Sequence, residues 1–336
     1  MRKKLYVITN EKIFSDNKNF FCDNLDIKST PEGLNRFFDV KLFARKTKIL
    51  RAHKINIGFI KIFSNLIYYI SNLIKSTKEK DVKYLIISLS PYTFIACILL
   101  RLLGKKPYLY LRSNGYDEYK IILGLLGYIA YHLMFEVASK TTILISCTEY
   151  ILMKKKGHIV SPSQLTQIWH KKKITPKDFE NKLLYVGRVK KEKGIFSLIK
   201  ILENQPELNL TIVGADLTTK KIKNENIKLM SIIHDQKELI NMYDKNDIMI
   251  LPSFTEGYPM VVLESLSRLR PIIIFEEIKH IIGERKGIFI AERNYNSLIQ
   301  TVHLIKENYS EIQEEMKKNK LPKNDEFINE MNKILL

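Results

Sequence analysis

Short apolar runs alternate with segments of helical period along most of the 336 residues. Runs of five or six apolar residues have the length of buried strands, and the longer segments repeat their apolar positions every three to four residues, as helices do. Strands that alternate with helices form parallel crossovers, so the pattern predicts an α/β fold with doubly wound sheets. In the first half we predict strands at Leu5–Thr9, Tyr84–Leu89, Lys106–Arg112, Thr142–Ser146 and Ile159–Ser161, and helices at Gly58–Lys75, Phe94–Leu103, Tyr119–Ala138 and Glu149–Lys155.

The alternation lapses between Ser161 and Lys182, where prolines and a lysine triplet indicate a linker. We therefore expect domains at 1–165 and 166–310, and a tail at 311–336 whose last part has a helical pattern. The second domain is predicted to contain strands at Leu183–Gly187, Leu208–Val213, Ile227–Ile232, Asp247–Leu251, Pro271–Phe275 and Ile288–Ala291, and helices at Ile195–Glu203, Lys237–Lys245 and Tyr295–Asn308.

The charge is strongly basic and unevenly distributed. Lys and Arg number 55 against 36 acids, a net charge of +19, and residues 1–165 hold 27 basic and 12 acidic residues. Such a field favours an anionic partner: nucleic acid, a membrane surface or a phosphorylated substrate. The alternative is a solvated lysine-rich surface. No RNP, zinc-finger or helix-turn-helix motif is present, so we expect no nucleic acid.

Two features bear on cellular location. The apolar segment Ile121–Phe135 is shorter than a transmembrane helix, and its length favours a core helix over one lying in a bilayer interface. The three cysteines are widely spaced without a C-x-x-C pair, which indicates neither disulfides nor a zinc site. We expect a cytoplasmic protein, with contact on the inner face of the cell membrane as an open alternative.

The stretch Asp247–Ser267 reads as strand, loop and helix. Gly257, Tyr258 and Pro259 form the turn, with Pro259 suited to the first helical position, and leave free backbone N–H groups above the strand end. Glu256 in the loop and Glu264 in the helix flank this anion site. The alternative is that both glutamates are ordinary helix-associated acids.

A second candidate site follows the strand at Leu183. Its sequence, GRVKKEKG, occupies residues 187–194. Gly187 relieves crowding at the strand end, and Arg188 and Lys193 place two cations beside the start of the next helix. A guanidinium can clamp two phosphate oxygens and an ammonium acts as a point charge, so a diphosphate fits this turn. The alternative is a surface turn in a lysine-rich chain, which is how we interpret Lys190 and Lys191.

The stretch TEGYPMVVLES, with the preceding strand-Pro-Ser, resembles the E-x7-E signature of the retaining family 4 glycosyltransferases. The GR…KG pair is similar to the donor-diphosphate motif of the same family. The resemblance covers residues 183 to 310 well and the first half only in architecture. It implies the GT-B fold: two Rossmann-like domains facing a cleft, with a C-terminal helix returning to the first domain.

The resemblance also implies roles for the motif residues. Glu256 would face the donor sugar, Glu264 would bind the ribose hydroxyls, and Arg188 and Lys193 would neutralise the leaving diphosphate. The backbone of Gly187 and of Gly257, Tyr258, Pro259, Met260 and Val261 would lie along the sugar and phosphates. No metal and no cofactor besides the nucleotide-sugar donor is then expected, and Asp244 and Asp247 do not form a D-x-D motif.

The first half departs from the family pattern. The segment NEKIF after the first strand lacks a glycine-rich loop, and Arg112 takes the place where many members have histidine. Asp117 is a candidate catalytic residue, with a turn residue as the alternative, and Arg112 would bind an acceptor phosphate or pair with an acid. We expect His280, between two predicted strands of the second half, to be structural or exposed.

These observations lead to one functional hypothesis. The protein is expected to be a metal-independent hexosyltransferase that moves a sugar from a nucleotide-diphosphate donor onto a glycan or lipid-linked glycan, with retention, in bacterial cell-surface polysaccharide synthesis. Two alternatives remain open at this point. One is another GT-B enzyme such as a sugar-nucleotide epimerase, and the other is a non-catalytic basic protein that binds nucleic acid or glycan.

Overall fold

A computed structural model describes residues 2–171, 179–203, 205–215 and 224–336. The chain divides into two compact units: unit 1 comprises Met1–Gln164 and Lys323–Leu336, and unit 2 comprises Leu165–Pro322. The division falls next to the predicted cut at 165/166, whereas the segment that rejoins unit 1 begins twelve residues later than the predicted tail at 311. Unit 2 is therefore inserted between two parts of unit 1.

Unit 1 is built on one mainly parallel sheet. Its parallel strands run in the order β5-β3-β1-β6-β7-β8-β9, and β2 and β4 add an antiparallel extension beside the end of β1. Except for that extension, the strands lie in the 3-2-1-4-5-6 order of a doubly wound domain, continued by one strand. The strands are β1 (Lys4–Ser15), β2 (Phe20–Cys22), β3 (Asp39–Thr47), β4 (His53–Ile55), β5 (Phe59–Phe63), β6 (Val82–Ile87), β7 (Tyr108–Leu111), β8 (Ile143–Ser146) and β9 (Gly157–Ile159).

The helices of unit 1 connect these strands, and their starts are capped by polar side chains. Asn24, Asn65, Ser90 and Asn114 each accept a hydrogen bond from a first-turn backbone N–H, which stabilises the helix start. The helices are α1 (Leu25–Leu34), α2 (Leu66–Thr77), α3 (Pro91–Leu102), α4 (Gly115–Thr141), α5 (Glu149–Leu152) and, from the end of the chain, α11 (Asn324–Leu335). The buried residues Phe327, Met331 and Leu335 form the apolar face of α11.

The element α4 is a helical hairpin. Gly124 interrupts its 27 residues with φ 66° and ψ −150°, a conformation almost restricted to glycine. Tyr116 Oη lies 3.0 Å from His132 Nδ1, sixteen residues later. In a straight helix these residues would be about 24 Å apart, so the two arms must fold back on each other.

By length and composition alone α4 passes as a membrane span, the only one found among the described residues. The core helix of a folded domain would be mostly buried, but only 28% of the most apolar window of α4 is buried. The expectation of a core helix at Ile121–Phe135 is therefore wrong. Four aliphatic residues beside Gly124 are instead 61–79% exposed: Ile122, Leu123, Leu125 and Leu126.

Unit 2 is a parallel sheet of six strands in its described part. The strand order is β12-β11-β10-β13-β14-β15, which again is 3-2-1-4-5-6. The strands are β10 (Lys182–Val186), β11 (Asn209–Val213), β12 (Ile227–Met230), β13 (Ile248–Leu251), β14 (Ile272–Phe275) and β15 (Ile288–Ala291). The helices are α6 (Ile195–Ile201), α7 (Gln236–Asp244), α8 (Met260–Ser267), α9 (Tyr295–Glu307) and α10 (Tyr309–Lys317).

Both faces of this sheet are covered by apolar clusters. Ile248 and Ile250 of β13 join the cluster under α6 and α9, while Met249 and Leu251 join the one under α7 and α8. Alternate residues of a strand point to opposite faces, so a strand buried on both faces reads as a continuous apolar run, as the sequence shows. Trp169, in the described part of the predicted linker, is buried in the second cluster, and residues 172–178 of that linker lie outside the described residues.

One predicted helix of unit 1 needs correction, and several of its strands were not predicted. The segment predicted as the helix Gly58–Lys75 is strand β5 followed by α2, because Phe59–Phe63 pairs with β3. The strands β2 to β5 were not predicted, since their residues lack a clean alternation of apolar and polar side chains. The predicted helix Tyr119–Ala138 corresponds to the two arms of α4, and the remaining predicted helices and strands have counterparts whose ends shift by a few residues, as expected for element boundaries.

Candidate functional site

The two motifs of unit 2 follow neighbouring strands at the point where the order of the sheet reverses. The GRVKKEKG loop follows β10, and the loop from Pro252 to Pro259 follows β13, its parallel neighbour. Ligands of open α/β sheets bind at the carboxyl ends of strands at this switch point. The sheet order alone therefore brings together two motifs that are about sixty residues apart in the sequence.

Gly194 packs against the end of β13. Its φ is +64°, and a Cβ at this position would lie 1.8 Å from the carbonyl oxygen of Pro252. The backbone N–H of Phe254 also donates to the carbonyl of Glu192 at 3.0 Å. Only glycine permits this approach, so the two loops are packed together through their backbones.

Glu256 and Lys193 form an ion pair across these loops. Lys193 Nζ donates to Glu256 Oε1 at 2.7 Å, and Ser253 Oγ donates to the same oxygen at 2.6 Å. The side chain of Glu256 is 10% exposed and that of Lys193 is 23% exposed. The carboxylate of Glu256 is thus held at the carboxyl edge of the sheet, where the ammonium of Lys193 neutralises its charge.

Two residues beyond the motifs support the Glu256 loop. His280 Nε2 lies 2.8 Å from the carbonyl oxygen of Glu256, from a 3-10 turn at Glu276–Ile281. Arg293, just after β15, donates to the carbonyl of Pro252 at 3.0 Å and stacks on Phe254 and Phe275. The expectation that His280 is structural agrees with this contact. Arg293 was not singled out from the sequence, although its place just beyond a strand end was the available signal.

The helix α8 begins without a side-chain cap. Its N-cap is Pro259, one residue before the helix rather than at the predicted first helical position, and among the described residues no side chain caps its first turn. In contrast, α7 and α9 are capped by Asp235 and Asn294. The N–H of Val262 donates to the carbonyl of Pro259 at 3.2 Å, which leaves the N–H groups of Met260 and Val261 to face an anion above the end of β13.

Glu264 lies inside α8 rather than on the loop. It is 6% exposed, and its Oε2 accepts from the hydroxyl of Tyr243 on α7 at 2.7 Å. Burial raises the pKa of Glu264 to about 7, and the hydrogen bond from Tyr243 opposes that shift. The structure thus fixes this carboxyl in one orientation and makes its charge sensitive to neutral pH.

Arg188 lies at the exposed side of the β10 loop. It makes no salt bridge among the described residues, and Tyr185 Oη donates to its carbonyl oxygen at 2.8 Å. A Cβ at Gly187 would lie 2.8 Å from the same Tyr185 hydroxyl, which explains the glycine there. Burial raises the pKa of Tyr185, the charge of Glu256 adds to the shift, and that of Arg188 opposes it. The charges of Glu256 and Arg188 therefore both act on the buried Tyr185.

The candidate residues of unit 1 have local partners. Arg112 forms an ion pair with the buried Asp26 of α1, so it pairs with an acid, one of the two expected roles. Asp117 lies in the first turn of α4, where its Oδ2 accepts from Asn114 Nδ2 at 2.7 Å and from Tyr150 Oη at 3.2 Å. Asp117 thus helps to order the carboxyl edge of the unit 1 sheet.

Comparison with known proteins identifies the second unit. Residues 167–321 match the family model described as "Glycosyl transferases group 1". This range coincides almost completely with unit 2. Unit 2 is thus similar to the group 1 glycosyltransferases. The expected relationship to GT-B glycosyltransferases is thereby confirmed.

Curated relatives agree with this family. An "Uncharacterized glycosyltransferase" of Haemophilus influenzae is 29% identical over 153 residues, covering 42% of this chain and 43% of that protein. The "Putative teichuronic acid biosynthesis glycosyltransferase TuaC" of Bacillus subtilis is 24% identical over 121 residues, covering 35% and 31%. The chain thus matches less than half of the length of these relatives.

Solved structures share the whole architecture. Sucrose-phosphate synthase from Thermosynechococcus elongatus superposes with TM-score 0.67 at 14% identity, covering 99% of this chain and 98% of that one. WaaG, a glycosyltransferase of lipopolysaccharide biosynthesis, gives 0.64 at 16%, covering 98% and 99%. A putative UDP-N-acetylglucosamine 2-epimerase from Listeria monocytogenes gives 0.59 at 14%, covering 100% and 95%. At such identities the likeness establishes the fold, which is the predicted GT-B fold with two Rossmann-like units.

Proposed function

We propose that the protein transfers a sugar from a nucleotide-diphosphate sugar onto a hydroxyl of an acceptor glycan. The observation that carries this proposal is the Lys193–Glu256 pair, held at the carboxyl edge of two adjacent strands in a unit similar to the group 1 glycosyltransferases. Cations, an anionic side chain and uncapped helix N–H groups meet there. A diphosphate sugar presents both anionic and hydroxyl groups to such a surface.

The donor would be bound by unit 2. Arg188 and Lys193 bind the diphosphate together with the amides of Gly257, Tyr258, Met260 and Val261. Pro259 has no N–H and sets the start of α8 instead. Glu264 accepts from the ribose hydroxyls, and Glu256 faces the sugar. In this arrangement Lys193 serves both the diphosphate and Glu256, so its ammonium links the two halves of the donor.

In the transfer itself, the bond between the anomeric carbon and the diphosphate oxygen breaks as a bond to the acceptor oxygen forms. The nucleoside diphosphate leaves with the bonding electron pair, and the acceptor hydroxyl passes its proton to the departing diphosphate oxygen. Arg188 and Lys193 stabilise the charge that develops on the departing diphosphate. One such hydrogen-bond donor can contribute about 2.7 kcal/mol or more to stabilising the transition state, which is about a hundredfold in rate. We propose that these two cations act without a metal ion and that the sugar, a hexose, keeps its anomeric configuration.

We assign the acceptor to unit 1 and the pathway to cell-surface polysaccharide synthesis. The printed functions of two similar proteins, teichuronic acid and lipopolysaccharide biosynthesis, support this class of acceptor. The basic excess of residues 1–165 suits an acceptor displayed at an anionic membrane on the cytoplasmic side. Asp117, on the carboxyl edge of the unit 1 sheet, is the proposed catalytic residue of that side.

The decisive experiment is a screen of nucleotide sugars for thermal stabilisation and for release of nucleoside diphosphate, with and without acceptor glycans. Transfer that is retained in EDTA, with Arg188→Ala and Glu256→Ala each losing it, supports the proposal. Lys190→Ala is the matched control, since Lys190 is an exposed lysine of the same loop. Full transfer by both variants contradicts the site.

The same screen separates the alternatives. An epimerase consumes the nucleotide sugar without any acceptor. It forms no new glycoside in proportion to any nucleoside diphosphate that is released. A non-catalytic binding protein is stabilised by ligand but releases nothing. The family match of unit 2 and the assembled Lys193–Glu256 pair favour the transferase over both.

A further inference from the structure

The helical hairpin α4 ends in an exposed aliphatic tip that the transferase chemistry of unit 2 does not use. Leu125 and Leu126 are 70% and 79% exposed, and Ile122 and Leu123 on the other arm are 66% and 61% exposed. Contiguous exposed aliphatic side chains of this kind mark an interaction surface in a folded protein. The base of the hairpin, in contrast, is sealed by Tyr116, whose ring contacts Tyr131 at 4.9 Å and Phe135 at 5.6 Å.

The tip projects beyond the carboxyl edge of the unit 1 sheet. The hairpin begins at Gly115, just after β7, and a Cβ on Gly115 would lie 2.0 Å from the ring of Tyr131. Tyr131 is therefore level with the start of the hairpin, and residues 132–141 run back toward the start of β8. The residues between Tyr119 and Tyr131, which include the tip, must then extend past the strand ends.

Two other exposed apolar segments lie on the same edge. Ile49 and Leu50, 66% and 69% exposed, follow the end of β3, and Ile67, 77% exposed, is in the first turn of α2 after β5. The strands β3, β5 and β7 are all parallel, so these segments share an edge with the hairpin tip. The apolar surface thus recurs along one side of unit 1.

The charge around this edge identifies the partner. The segment from Val40 to Asn65 contains seven Lys and Arg residues and no Asp or Glu. Lys46 and Lys48 are exposed beside Ile49, and Lys120 is exposed on the first arm of the hairpin. Protruding aliphatic side chains with lysines beside them fit a partner that has an apolar layer under an anionic surface. The acyl chains and headgroups of an anionic lipid bilayer form such a partner.

We propose that the α4 hairpin inserts its tip, Ile122–Leu126, into the acyl-chain boundary of an anionic membrane, with Lys46, Lys48 and Lys120 on the headgroups. The fold-back at Gly124 leaves arms too short to cross a bilayer, so the hairpin enters one leaflet only. The attachment is hydrophobic at the tip and electrostatic around it. It is independent of the donor chemistry in unit 2, so the failure of either proposal leaves the other testable.

The insertion can be observed directly with the whole 336-residue chain. Leu125→Trp places a fluorophore at the tip, while the single native Trp169 is 1% exposed and gives a constant background. With phosphatidylglycerol vesicles that carry brominated acyl chains, we expect a blue shift and quenching of the new emission. Emission that stays at its aqueous wavelength while the protein sediments with the vesicles would show that only charge holds it, and would overturn the insertion.

A matched pair of variants tests the contribution of the tip. Leu125→Gln/Leu126→Gln should weaken vesicle binding in 0.5 M NaCl by about tenfold or more, because burial of two leucine side chains is lost. Leu102→Gln is the control, since Leu102 is 77% exposed at the far end of α3, on the opposite edge of the sheet. Equal losses in both, or none in the tip variant, would refute the proposal.

A second copy of the chain is the other occupant to exclude. Sedimentation without lipid distinguishes the two, because a tip that buries itself in another copy gives a dimer that Leu125→Gln/Leu126→Gln converts to monomer. A dimer of that kind that fails to bind vesicles would overturn the membrane assignment. Release of nucleoside diphosphate with a water-soluble acceptor should be equal in the tip variant and the parent protein.

Discussion

Lys193 Nζ and Glu256 Oε1 are 2.7 Å apart, although 63 residues separate them in the chain. The pair exists because β10 and β13 are neighbours at the switch point of the sheet and because Gly194 lets the two loops touch. A lysine in this position neutralises the carboxylate and still reaches the place where the diphosphate is proposed to bind.

Replacing Lys193 should therefore disturb two functions at once. Lys193→Met is expected to reduce kcat/KM by about a hundredfold to a thousandfold, because one of two cations on the leaving diphosphate is lost. A double-mutant cycle with Glu256→Gln should show strong non-additivity, since the two side chains are in contact. Lys190→Met in the same loop should leave the rates unchanged. Additive effects of Lys193→Met and Glu256→Gln would show that the pair does not act as a unit.

The Gly194–Pro252 contact predicts an unusual contrast between two glycines. Gly194 and Gly283 have similar φ values, +64° and +56°, but a Cβ at Gly283 would meet nothing within 4 Å. Gly283→Ala should cost only the left-handed strain of about 1 kcal/mol. Gly194→Ala should cost considerably more and should abolish donor binding, because the loops must separate. Urea unfolding and donor titration measure the two effects, and equal costs would contradict the packing.

The raised pKa of Glu264 predicts how stability changes with pH. Its folded-state pKa of about 7 lies above the ordinary 4.5, so the folded state resists ionisation of this carboxyl. The resulting loss of stability is absent below pH 4.5, grows between pH 4.5 and 7, and is constant above that range. Relative to Glu264→Gln, the wild-type protein should lose roughly 3 kcal/mol of unfolding free energy across this window.

Unit 2 offers a local probe for that measurement. The Trp169 ring packs against Tyr243 with centroids 5.6 Å apart, so its fluorescence reports the unfolding of this unit. The Gln side chain still accepts from Tyr243, which keeps the packing intact. Glu284→Gln, at an exposed position, should follow the wild-type curve. Parallel curves for wild type and Glu264→Gln between pH 4.5 and 7 would refute the shifted pKa.

The buried Arg268–Asp244 pair predicts a large effect on folding. Arg268 is 1% exposed and donates to both Asp244 oxygens, at 2.9 and 2.7 Å, and to the carbonyls of Trp169 and Lys171. Arg268→Ala would leave Asp244 buried without its main cation, at a cost of about 3–5 kcal/mol. Lys279→Ala should change stability by less than about 0.5 kcal/mol, since its pair with Glu276 is exposed. Similar losses in both variants would contradict this ranking.

The success of sequence-based prediction differed between the units for physical reasons. The strand β13 was predicted within one residue, because a strand buried on both faces is an uninterrupted apolar run. The edge strand β15 was predicted at its observed residues, Ile288–Ala291, from a similar apolar run, although Ile290 is exposed. The segment Phe59–Phe63 was predicted as helix, since its apolar positions also fit a 3.6-residue period. Its pairing with β3 makes this segment a strand. Pairing between segments that are distant in the sequence cannot be predicted from local periodicity.

The candidate site shows the same limit. The residue types around Glu256 and Arg188 indicated an anion site, but the contact with Lys193 depends on the order of strands in the sheet. The environment of Glu264 likewise comes from Tyr243 on another helix. The hairpin at Gly124 was missed because length and composition describe one helix, whereas the glycine conformation and the tyrosine packing make two arms.

The return of α11 to unit 1 has a consequence for how the protein is made. Phe327, Met331 and Leu335 complete the core of unit 1, yet all of unit 2 is synthesised before them. During translation, unit 2 can therefore close while unit 1 still lacks its last helix. The hydrophobic surface that α11 covers, near Gly33 and Tyr110, stays exposed until α11 has been synthesised, so unit 1 exposes apolar core surface for longer than unit 2 does.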